Sequence, residues 1–124
     1  MKKYTQADFD NFKVDKYGHK ICPAGDYTAI KGFGAQCSFG EQCIFGALCI
    51  FGERCIFDAL CIFGERCRFD ERCSFCERCI FSEQCIFDEG CRFGEQCSYE
   101  NGAVKNGRYV AVDRIGSENR KAYF

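Results

Sequence analysis

Thirteen cysteines in 124 residues are the side chains best placed to do chemistry. Eleven of them, at 37, 43, 49, 55, 61, 67, 73, 79, 85, 91 and 97, recur every six residues without a gap. Thiolates at suitable spacing bind zinc, build iron–sulfur clusters or close disulfides. Zinc sites use C-x2-C or C-x4-C pairs, whereas the dominant spacing here is C-x5-C. Cys73, Cys76 and Cys79 do give C-x2-C-x2-C, the spacing that begins a cluster-binding run. Such a run needs its fourth cysteine three residues on, followed by proline; the next here is Cys85, with no proline after it. We therefore expect no metal and no cofactor. The competing reading is that the ladder cysteines are small apolar groups packed inside the fold. Cys22 precedes the ladder, and Cys76, the one cysteine within the repeat that falls off it, is expected to be an exposed thiol.

The elements that must position these cysteines follow from a second series. Phe39, Phe45, Phe51, Phe57, Phe63, Phe69, Phe75, Phe81, Phe87 and Phe93 each lie two residues after a cysteine, and Tyr99 closes the series. One looser unit, Lys31 to Gln36, keeps Phe33 and Gly34 in phase. Six residues advance an α-helix by about 600°, so a helix would scatter the cysteines around its surface. In an extended segment, residues two apart share one face and the residue between points the other way. Gly40, Gly46, Gly52, Asp58, Gly64, Asp70, Cys76, Ser82, Asp88 and Gly94 follow the aromatics. Gly and Asp tolerate positive φ, so this position is expected to be the turn. The unit reads as a strand and a corner. One such strand cannot bury its inner face, but stacked coils can, each strand bonded to its equivalents above and below at about 4.8 Å.

The pattern resembles the hexapeptide repeat of left-handed parallel β-helices: a large apolar residue, then Gly, Asp or similar, with a small residue two places before the apolar one. Cys-x-Phe-Gly matches those positions over about half the chain. Phe stands where that family uses Ile, Leu or Val, and its small residue varies where this chain keeps Cys. The resemblance implies an all-β parallel β-solenoid, a left-handed triangular β-helix with three hexads, or about 18 residues, per coil. Two or four hexads per coil remain open. Ala47-Leu48 recurs as Ala59-Leu60 after twelve residues, and the series Ile56, Ile62, Arg68, Ser74 recurs as Ile80, Ile86, Arg92, Ser98 after twenty-four.

The family's enzymes are commonly acyltransferases, with a catalytic histidine near an extruded loop and a groove for coenzyme A; its carbonic anhydrases need three zinc histidines. The only histidine here is His19, outside an uninterrupted repeat, so no catalytic residue carries over. An acyltransferase-like enzyme and a thiol-rich metal-binding protein are kept as alternatives. Ice-binding solenoids favour ranks of threonine, and this chain has only Thr5 and Thr28.

The outward residues then matter most. With three hexads per coil, Ile44, Ile62 and Ile80 form one rank, while Ser38, Ile56, Ser74 and Arg92 form a second and Ile50, Arg68 and Ile86 a third. Exposed isoleucines in rank suggest an interface, although isoleucine also favours strands for its own sake. Leu48 and Leu60, at corners otherwise held by Arg or Gln, extend the apolar surface. The expected interface is Ile44, Ile62, Ile80, Leu48, Leu60 and Ile56. Corner pairs such as Glu53-Arg54 and Glu71-Arg72 read as solvated edges.

The chain carries a formal charge of −1. Residues 37–98 hold 6 Lys/Arg against 11 Asp/Glu, and each flank is +2. An acidic middle of this kind offers no basic stripe for nucleic acid. The N-terminus lacks the apolar core of a signal peptide, and no run is long enough to span a membrane. A cytoplasmic protein with reduced thiols is expected. Residues 1–30 are expected to form an N-terminal cap, with a short helix capped by Thr5 and Asp8 and a possible hairpin at Tyr17-Gly18. Residues 31–102 should form the solenoid, and 103–124 a C-terminal strand segment with Val110 and Val112 on one face. The chain stops at Ala-Tyr-Phe, strand-like residues consistent with a longer protein. The function expected is a non-catalytic structural or interaction role, with a homodimer or an unknown protein as partner.

Overall fold

A computed structural model describes residues 1–99 together with the strands Ala103–Lys105 and Arg108–Val110. Ile44 pairs in parallel with Ile62 and Ile62 with Ile80, so one coil takes 18 residues, three hexads. The molecule is an all-β parallel β-solenoid of three sheets wound around one core. The first sheet stacks the strands at Ile44–Phe45, Ile62–Phe63, Ile80–Phe81 and Ser98–Tyr99. The second stacks those at Lys20–Cys22, Cys37–Phe39, Ile56–Phe57, Ser74–Phe75 and Arg92–Phe93. The third runs from Gly32–Phe33 through Ile50–Phe51, Arg68–Phe69 and Cys85–Phe87 to Ala103–Lys105, and closes on an antiparallel pair with Arg108–Val110. Parallel stacking starts ahead of the hexads: Lys20–Cys22 already lies in register below Cys37–Phe39.

Alternation puts Cys and Phe inside. Cys55, Phe57, Cys61 and Phe63 are each 0% exposed, and among the described residues no polar or charged residue is buried. The phenyl rings form three columns, one per sheet. Within a column they stack nearly parallel, as Phe45, Phe63 and Phe81 do at 5.0 and 4.9 Å. Between columns they meet edge to face, as Phe57 and Phe63 do at 4.9 Å and 83°. Offset-stacked and edge-to-face pairs are the two arrangements the ring quadrupole favours. Phenylalanine fills the coil because every ring satisfies both at once.

The corner differs from the sequence expectation. Positive φ does not fall on the Gly/Asp position after Phe but two residues later, just before the next cysteine. Leu48 has φ 64°, Arg66 59° and Gln84 62°. From Gln36 to Arg78 these residues bond to the coil above: Leu48 N–H donates to the Glu65 carbonyl at 2.8 Å, and Arg66 N–H to Glu83 at 3.0 Å. The recurring ladder bond holds these side chains in a region they otherwise avoid. Glycine after Phe answers a different need. A Cβ on Gly64 would lie 2.6 Å from the Ala47 nitrogen in the coil below. Where Asp takes this position its carboxylate accepts the next N–H, as Asp70 does from Glu71 at 2.9 Å.

The N-terminal segment closes one end. Thr5 caps the helix Gln6–Asp10, and Asp8 returns a bond to the Thr5 N–H at 2.9 Å. Around Gly18, at φ 87°, Val14 and Lys20 form an antiparallel bridge. Phe9 lies edge-on to Phe33 at 5.2 Å, and Tyr27 stacks on Phe45 at 5.6 Å. The cap thus continues the ring columns. The expected face of Val110 and Val112 lies outside the described residues.

Candidate functional site

Within the described hexads, the outward position between each Cys and Phe is the strand residue left to meet a partner. In the first sheet Ile44, Ile62 and Ile80 stand in register, with Ile62 41% and Ile80 44% exposed. Leu60, at the corner entering this sheet, joins them. Together with Met1, Gln42 and Arg78 they line a groove of about 360 Å³. The fold brings four of the six expected interface residues into one patch. Leu48 lies at the sheet's other corner, and Ile56 lies in the second sheet between Ser38 and Ser74.

Two corner columns carry side-chain ladders. Arg66 Nε donates to Gln84 Oε1 and Arg78 Nε to Gln96 Oε1, each at 2.7 Å and each one coil apart. The third corner column runs Gln36, Arg54, Arg72, Gly90. Its upper glycine removes the acceptor that the other two arginines use.

The buried cysteines do more than fill volume. Each thiol in the upper coils donates to the carbonyl that follows Phe in the coil below: Cys67 to Gly46 at 3.3 Å, Cys73 to Gly52 at 3.3 Å, Cys97 to Cys76 at 3.3 Å. The corner turns this carbonyl inward, and a small side chain with a donor is needed to satisfy it. The six-residue period hinted at a small residue but gave no sign of an inward carbonyl. Within a column the thiols also compete. Hydrogen bonds from Cys43 and Cys79 push Cys61 up, and burial adds to this. The same bonds to Cys61 lower Cys43 and Cys79, against the upward pull of burial. All thirteen cysteines are free thiols, and only Cys76 is exposed. Burial raises its thiol above the ordinary value, and Asp58 adds to the shift.

Among the described residues, no three His, Cys, Asp or Glu side chains converge as a metal-binding group. His19 lies beside Asp15, 3.9 Å from its carboxylate. No helix among the described residues is long and apolar enough to cross a membrane. Comparison with protein-family models, curated proteins and solved structures finds no match.

Proposed function

We propose that this chain is a non-catalytic structural or interaction protein, a rigid β-solenoid that associates with a second copy through its isoleucine rank. The carrying observation is the in-register row of Ile44, Ile62 and Ile80, which with Leu60 lines one shallow groove. A flat rank repeating at strand spacing is self-complementary under a two-fold axis, which the commonest oligomers use. Arg78 and Gln42 at its margin supply the polar rim such interfaces carry. The hexad pattern and 18-residue coil support kinship with left-handed hexapeptide-repeat solenoids, used here for architecture rather than acyl transfer. A reduced, cytoplasmic setting suits a core of free thiols.

The test is absolute mass by light scattering for the native chain and for Ile62→Lys, with circular dichroism to confirm folding. A native dimer that becomes a folded monomer supports the reading. A native monomer removes the interface.

A further inference from the structure

On a different face, three arginines line one groove. Arg54 and Arg72 come from adjacent coils of the third corner column, and Arg92 comes from the second sheet. With Ser74 and His19 they bound a space of about 430 Å³ whose lining contains no carboxylate. We propose that this groove binds a phosphate group.

The contrast with the other corners carries the argument. There the arginines are held by glutamines one coil up, Arg66 by Gln84 and Arg78 by Gln96. Here the residue one coil above Arg72 is Gly90, at φ 81°, with no side chain to accept from it. Its backbone lies so close that a Cβ would approach Arg72 Cγ at 3.0 Å. Glycine therefore keeps the column short and leaves open the place above Arg72 where its neighbours carry a glutamine. Arg72 has one ion pair, to Glu71 at 3.5 Å, and its side chain remains 60% exposed. An exposed pair of this kind is weak and readily exchanged.

A tetrahedral phosphate suits the groove better than a carboxylate. A carboxylate presents two oxygens and occupies one guanidinium fork. Phosphate presents more, and planar guanidinium groups arriving from two elements can each take a pair. Ser74, one coil below Arg92 in the same sheet, adds a neutral hydroxyl donor to the lining. Glu53, Glu71 and Glu89 stack beside this column and lower the long-range field, so the selectivity rests on short-range donor geometry. The groove lies on the second sheet, away from the isoleucine rank, and its test is independent of self-association.

The experiment is a titration of the full chain with inorganic phosphate and, in parallel, phenyl phosphate at constant ionic strength, followed by calorimetry. Saturable binding is expected. Arg72→Gln and Arg92→Gln should each weaken it about tenfold or more, as expected for a lost bond to a charged group. Arg68→Gln, the same charge change on the third sheet, should leave it unaltered. Equal affinity for both ligands identifies a phosphate group on a larger molecule, and binding of inorganic phosphate alone identifies the free ion. No saturation by either ligand, or equal weakening by Arg68→Gln, overturns the proposal.

Discussion

At the scale of the residue, cysteine is the surprising choice and the thiol proton explains it. Alanine would fit the coil, but it could not donate to the inward carbonyl. Cys73 donates to the Gly52 carbonyl at 3.3 Å. Cys73→Ala should therefore cost about 1–3 kcal/mol, the penalty for stranding a buried acceptor. Cys73→Ser keeps a donor and should be less destabilising than Ala, although serine is the more polar side chain. Urea unfolding of the two variants decides the matter: if Ala proves the more stable, the thiol acts by volume alone. Access gives a second expectation. In the native chain a thiol-reactive disulfide should label Cys76 only, and after denaturation all thirteen cysteines. The reagent reacts with the thiolate, and burial raises the Cys76 thiol. Its labelling rate should therefore rise through a higher pH range than that of a free cysteine; a rate already maximal below that range would contradict the assignment. The sequence made the inward placing of Cys and the outward placing of Cys76 readable through simple alternation. It hid the carbonyl, because the direction of a backbone C=O depends on a corner whose torsions leave no mark on composition.

At the scale of the element, that corner is where sequence reasoning went astray. A recurring Gly/Asp position reads as a site of positive φ, since those residues tolerate it best. The structure puts positive φ on Gln, Arg and Leu instead, whose side chains give no such signal. The left-handed torsion is offset, from Gln36 to Arg78, by a bond to the next coil, such as Gln42 N–H to the Ala59 carbonyl at 2.9 Å. Only Gly90 shows the signal openly, because glycine takes that position in one hexad alone. Glycine after Phe is instead a matter of space, and two substitutions separate the cases. Around Gly34, which follows Phe33, no atom lies within 4 Å of an added Cβ, whereas at Gly64 one would sit 2.6 Å from backbone. Gly34→Ala should be neutral or stabilising by up to about 1 kcal/mol, and Gly64→Ala should cost about 1–3 kcal/mol through the forced shift. Thermal unfolding of both tests this, and equal effects would mean that the coils are not as closely stacked as the 2.6 Å approach requires.

At the scale of the whole molecule, the coil number was readable only in part. Recurrences at twelve and twenty-four residues competed with three hexads per coil, because side-chain identity on the outer faces is free to vary while the core is uniform. The ring geometry breaks the tie: three columns allow each ring to stack along one direction and meet two perpendicular columns. Phe63 stacks on Phe45 and Phe81 and lies edge to face with Phe51, Phe57, Phe69 and Phe75. A solenoid of such layers is stabilised by nearest-neighbour terms, so its stability depends on position along the rod. Phe63→Ala removes a ring held from both sides and should cost about 3–5 kcal/mol. Phe33, at the capped end, stacks on one phenylalanine above, Phe51 at 4.7 Å, and is closed from below by Phe9 edge-on. Phe9→Ala should therefore loosen the first coil and spare the middle. Amide hydrogen exchange is the discriminating measurement: in Phe9→Ala the Ile50 N–H, bonded to Lys31, should exchange faster, while the Ile80 N–H, bonded to Cys61, keeps its protection. If both amides speed up equally, the rod opens as one cooperative unit, and the cap contributes to global stability rather than sealing an end.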